Sequence, residues 1–313
     1  MISKFLDPKN DVAFRKIFGS EKNKDILIHF INDMTLFKNK IKDVTFLKTN
    51  QDPEIASKKE SIVDIMCKDE HENKYIVEMQ VSSHAGFEKR AQYYAAKAYI
   101  GQMNKGDKQY QNLKEVVFLA IADFTMFPLK KEYKSDHVIL DQNTYEHDLK
   151  GFSFSFLELP KFKIKEENLK TMIEKWAYYF KYAEHSTDAQ IHSIFRNDVI
   201  IQKAYHELER FNWTEDELMN YEAVLKRDLD NQAVEAYKKQ QMEKELKDAL
   251  ERGLAKGKAE GKAEGKVEEK IEIAKNLITQ GLDISLISSA TGLSRLEIEN
   301  LQFHVQKLSK KVD

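Results

Sequence analysis

Residues 61–81 read SIVDIMCKDEHENKYIVEMQV, two short apolar-rich runs around a polar loop at 68–74. That pattern predicts a β-hairpin. With the turn centred on His71, Asp64 falls directly opposite Glu78 on the neighbouring strand. Side chains alternate faces along a strand, so one face carries Asp64, Glu78 and Gln80. The other carries Val63, Ile65, Cys67, Tyr75, Val77, Met79 and Val81, a near-continuous apolar surface. Directly opposed residues stand roughly 4.5–5.5 Å apart at Cβ. Two carboxylates that close repel unless a cation or a proton lies between them. A hard divalent cation such as Mg2+ takes one or two carboxylates and keeps several waters. An amphipathic hairpin at a sheet edge would also place polar residues on its wet face, with no site implied.

The rest of the composition narrows the class. The chain has 313 residues, with 50 basic against 52 acidic. A nucleic-acid binder driven by global charge would be strongly basic, so any contact with DNA would have to come from a local patch. Charged residues make up 33%, which predicts long solvated helices. Cys67 is the single cysteine, so no disulfide forms within the chain and a reducing cytoplasm is expected. The start, MISKFLDPKN, lacks the apolar core of a signal peptide. No apolar run has the length to cross a bilayer, so no membrane partner is expected.

Before the hairpin, NDVAFRKIFG at 10–19 places Phe14, Ile17 and Phe18 at helical spacing, with Asn10 or Asp11 as cap and Gly19 as stop. A second helix is expected at 23–34, then a strand at 44–48 and a polar loop at 49–59. His84 follows the hairpin in a short turn, where a lone histidine is more often neither base nor ligand. Residues 87–103 predict a helix with Phe87, Ala91, Tyr94, Ala95 and Ala98 on one face. Arg90 and Lys97 lie on or beside that face, and Arg90 there reads either as a group that neutralises phosphate or as the partner of a nearby acid. VVFLAIA at 116–122 predicts a buried central strand, and 137–140 and 151–157 predict further strands.

From residue 165 the pattern becomes helical, with a capping box at Thr214 and Glu217. Glycine then recurs at 253, 257, 261 and 265. The repeat reads either as a helix with a glycine stripe for a second chain or as a charged tether; the tether is slightly favoured, and composition does not decide between them. The tail predicts three short helices, with Asp283 as cap, Gly292 as stop and a box at Ser294 and Glu297. Its spacing is that of a helix-turn-helix. Arg295, Glu297 and Glu299 make a poor reading helix for DNA, which favours a small pairing or partner-binding module. The expected divisions are a core at 1–164, a helical region at 165–250, the repeat at 251–270 and the tail module at 271–313.

The acidic pattern Asp64-x13-Glu78-x-Gln80 resembles the PD-(D/E)XK nuclease signature. More narrowly, with DPKNDVAFRKIFG, KRAQYY and KGDKQY, the chain resembles the Rpn recombination-promoting nucleases, also described as PD-(D/E)XK nuclease family transposases. The resemblance implies an α/β fold, a restriction-endonuclease-like mixed sheet with flanking helices, followed by an all-α C-terminal region. It implies Mg2+-dependent hydrolysis of DNA, with Asp64 and Glu78 as metal ligands and Gln80 in the catalytic set. Gln80 stands where the wider superfamily has lysine, and Val63 where it has proline. Asp11 reads equally as helix cap or as helper at the metal, and Arg90 and Lys97 as phosphate contacts. The implied partners are DNA and further copies of the chain through the helical C-terminal region. Recombination, mobile-element or phage-defence roles follow from the same resemblance. An inactive relative regulating through its tail is the alternative.

Overall fold

The computed structural model describes residues 3–35, 40–51, 61–83, 85–103 and 109–309. In chain order the elements are α1 (Asp11–Phe18), α2 (Lys24–Met34), β1 (Val44–Phe46), β2 (Asn50–Gln51), β3 (Ser61–Ile62), β4 (Ile65–Asp69), β5 (Lys74–Gln80), α3 (Phe87–Ile100), β6 (Val116–Ala122), β7 (Lys134–Val138) and β8 (Phe152–Glu158). Helices follow: α4 (Met172–Tyr182), α5 (Asp188–Ile194), α6 (Val199–Leu208), α7 (Glu215–Thr279), α8 (Ile284–Thr291) and α9 (Arg295–Ser309). Two compact units result, Met1–Leu229 and Asp230–Asp313.

The first unit is built on a six-stranded mixed sheet in the order β1-β4-β5-β6-β8-β7. β5, β6 and β8 run parallel, and the outer pairs are antiparallel. Central β6 is buried along its whole length, as its unbroken apolar run requires of a strand covered on both faces. One face packs Ile65, Cys67, Tyr75, Val77, Met79, Leu119 and Ile121 against α1, α2, α4 and α6. The other packs Met66, Ile76, Phe118, Ala120 and Phe156 against Phe87, Ala91, Ala95 and Ala98 of α3. The alanines bring α3 close to the strands, and the result is a helix–sheet–helix sandwich.

Local chemistry fixes the hairpin. Asp69 is buried and accepts from the N–H groups of His71 (2.8 Å) and Asn73 (2.9 Å), from the Asn73 amide (3.0 Å) and from the Tyr75 hydroxyl (2.9 Å). Glu72 takes the left-handed conformation at φ 68°. The turn pairs Ile65 with Val77 and Cys67 with Tyr75, the register expected from a turn centred on His71. Two details differ from the sequence expectation. The first arm of the hairpin breaks at Val63 and Asp64, so Val63 packs beneath α3 with Met66 and Ile76 rather than on the Ile65 face. In addition, Asn50–Gln51 pairs with Ser61–Ile62 where a plain loop was expected. His84 lies outside the described residues.

Asn10 caps α1 through the Val12 N–H and Gly19 closes it, leaving Asp11 free of the capping task. The glycine repeat lies within α7 and is helical, not a tether. A Cβ added at any of Gly253, Gly257, Gly261 and Gly265 would meet open space. In the second unit, Asp283 caps α8, and Gly292 ends it at φ 69°. Ala274, Ile287, Leu293 and Ile298 form its small core. No helix among the described residues is long and apolar enough to cross a membrane.

Candidate functional site

Asp64 and Glu78 meet at the carboxyl end of β5, where open α/β sheets place their ligand sites. The Asp64 N–H donates to Glu78 Oε1 (3.3 Å), and the Met79 N–H donates to Asp64 Oδ2 (3.0 Å). The break before β4 makes this possible, because those backbone groups bind carboxylates instead of completing the ladder. Gln80 donates from Nε2 to Glu78 Oε2 (2.8 Å) and accepts at Oε1 from Arg90 Nη2. Parallel β6 sets Ala120 beside Glu78 and Ala122 beside Gln80, so small side chains leave room around the acids.

Arg90 is locked. Its guanidinium lies over the Phe87 ring at 4.8 Å, and its Nε is buried without a hydrogen-bond partner. Lys97 follows two turns later on α3, half-buried. On the opposite flank Arg15 of α1 reaches Asp64 Oδ1 at 3.2 Å. Asp11, one turn earlier on α1, pairs with Arg227 of α7 at 3.1 Å, and its charge acts on Asp64. Neither Arg15 nor Arg227 was singled out from the sequence. The i, i+4 spacing of Asp11 and Arg15 was the available signal for Arg15. Arg227 gave none, since it arrives from a helix more than two hundred residues away in the chain.

Burial raises Glu78 from its ordinary 4.5 to about 8, and the neighbouring Asp64 charge adds to the rise. Asp64 is raised too, chiefly by burial, against the Met79 N–H, with the Asp11 charge pushing further up. The donor set fits a hard cation: oxygens only, from one carboxylate on β5 and one in the break just before β4, whose mutual repulsion a positive ion relieves. Among the described residues no group of three or more His, Cys, Asp or Glu forms a metal cage, so any ion there would keep much of its water.

The pair burden can be tested directly. The folded chain holds the Glu78 proton more tightly than the unfolded chain, so this group's contribution to stability is complete below 4.5 and is lost as pH rises through about 8. Asp64→Asn removes the neighbouring charge. In chelator, the variant is expected to melt about 2–4 °C above the wild type at pH 8, with little difference at pH 5, since about 1 kcal/mol shifts the midpoint that far. Calorimetry at the two pH values checks it, and parallel pH slopes would rule out the repulsion.

A family model described as PD-(D/E)XK nuclease family transposase matches residues 8–238. The chain belongs to this family. A second model, the C-terminal helix-turn-helix domain of the Rpn/YhgA-like nuclease family, matches residues 267–302. Comparisons with curated proteins and with solved structures found no match. In this PD-(D/E)XK chain the restriction-endonuclease-like α/β fold and the nuclease-family assignment therefore agree. The helix-turn-helix match covers α8 and the greater part of α9.

Proposed function

We propose that the chain is a divalent-metal-dependent endodeoxyribonuclease in which Asp64 and Glu78 hold Mg2+. The observation that carries this reading is the convergence of the buried Glu78 and the largely buried Asp64 carboxylates at the carboxyl end of β5, where the Asp64 N–H donates to Glu78 Oε1. Bound between them, the ion would supply Lewis acidity to the scissile phosphate and a more acidic water. Gln80, fixed between Glu78 and Arg90, is oriented to position that water through its amide. Arg90 supplies the positive charge that a glutamine lacks, and Lys97 extends the phosphate contact along α3. Asp11, paired with Arg227 at 3.1 Å, is the outer acid that assists at the metal.

The tail is assigned to pairing between copies. Arg295 at the start of α9 is engaged by Glu299 at 3.0 Å, which leaves this helix little positive charge for the major groove. Assembly through the helical C-terminal region in the cytoplasm, and a role in DNA recombination or mobile-element and phage-defence biology, complete the proposal.

The test is plasmid cleavage by the purified chain. Supercoiled DNA is expected to be nicked or linearised with Mg2+ and left intact with excess chelator. Cleavage that is indifferent to the chelator, or absent across a Mg2+ and Mn2+ titration, overturns the enzyme reading.

A further inference from the structure

The two arginines at the site are held in different ways. Arg90 is packed on Phe87 and bound to Gln80. Arg15 has a side chain 52% exposed and reaches an Asp64 that is only 14% exposed. It therefore approaches from solvent and covers the open side of the acid pair.

The carboxylate oxygens divide in the same way. Asp64 Oδ2 takes the Met79 N–H, Glu78 Oε1 takes the Asp64 N–H, and Glu78 Oε2 takes the Gln80 amide. Those donors are fixed in or on the sheet. The fourth oxygen, Asp64 Oδ1, is held by Arg15 at 3.2 Å. A cation arriving from solvent meets this oxygen first, and the group it must displace is a long, flexible side chain. The guanidinium end of the pair is exposed to water, which competes for its donors and screens the attraction, so the exchange costs little. A guanidinium so released keeps its fixed fork of donors, which matches two phosphate oxygens.

We propose that Arg15 is the displaceable occupant of the cation position, neutralising Asp64 Oδ1 in the metal-free chain and passing to a DNA phosphate when a divalent cation enters. The assignment rests on reading Asp64 and Glu78 as metal ligands. It gives Arg15 opposite effects on two quantities. It competes with the ion, so it weakens metal affinity. It grips the substrate, so it strengthens cleavage. A side chain that merely kept Asp64 in place would change both in the same direction.

The experiment titrates Mg2+ into the full chain by calorimetry without DNA, and measures plasmid cleavage at saturating Mg2+. Arg15→Ala and Arg15→Gln are expected to bind Mg2+ about 3–10-fold more tightly than the wild type, the removed charge being a near neighbour in a partly screened setting. Both are expected to cleave at least about tenfold more slowly, with Arg15→Lys intermediate. Unchanged or weaker Mg2+ binding in Arg15→Ala and Arg15→Gln overturns the proposal. So does undiminished cleavage. If the wild type binds no Mg2+, or Asp64→Ala binds it as the wild type does, the ligand reading itself falls and the proposal with it. Intact Asp64-dependent binding in the wild type confines a negative result to Arg15.

Discussion

Asp64→Ala is expected to lower Mg2+-dependent DNA cleavage about a thousandfold or more while leaving the fold in place. Metal charge stabilisation at a phosphoryl oxygen is worth several kcal/mol, and each 1.36 kcal/mol is a factor of ten in rate. Loss of about 4 kcal/mol of that stabilisation gives three decades. The fold is expected to survive because Asp64 sits outside both flanking strands, in the break between Ile62 and Ile65. Its removal also frees Glu78 from a neighbouring charge that raises its pKa. Glu78→Ala should match it in activity, since either loss opens the pair. Gel assays of supercoiled plasmid, with circular dichroism to check folding, decide the matter. Cleavage within threefold of the wild type would falsify the assignment of Asp64 to the reaction.

The register of this pair was legible because a hairpin constrains itself locally. Asp69 and the turn at Glu72 set the pairing, and period-two alternation then carries it to Asp64 and Glu78. What alternation could not reveal was the break at Val63. The two-residue break at Val63 and Asp64 turned Val63 toward α3, so the carboxylate face proved to be the end of a covered apolar surface rather than a wet edge. Met66 and Ile76, which share that face, are buried. The helical stripes of α1 and α2 were equally readable, because 3.6-residue spacing is a property of the segment alone. Arg227 reaching Asp11, and Lys9 reaching Asp123 at 2.9 Å beside the end of β5, belong to tertiary structure and leave no local trace. The glycine repeat misled for a different reason. Intrinsic propensity charges each glycine about 1 kcal/mol against a helix, yet the leucines, alanines and alternating charges around it favour one, and α7 runs through without interruption.

Phe18→Ala is expected to cost the first unit about 3–5 kcal/mol, the range for deleting a buried phenylalanine ring. Phe18 is fully buried at the end of α1. Its ring lies 5.0 Å from Phe14, 5.4 Å from Phe30, 5.8 Å from Trp176 and 5.5 Å from Phe180. Those rings come from α1, α2 and α4, so the deletion opens a cavity where three helices meet, and interiors packed as densely as crystals relax only partly around such a void. Trp176 is itself tied by its indole N–H to Asp33 at 2.8 Å, which limits its freedom to move into the space. Domains of this kind hold about 5–15 kcal/mol in all, so the variant should lose roughly a fifth or more of its stability. Urea titration followed by tryptophan fluorescence measures it, and a loss under about 1 kcal/mol would show that the cluster collapses freely. The consequence reaches the site through geometry. Phe14 and Phe18 are the buried face of the same short helix whose outer face presents Asp11 and Arg15 to Asp64. With one aromatic anchor gone, α1 is less firmly seated, and the Arg15–Asp64 distance is the first contact at the carboxylates to loosen.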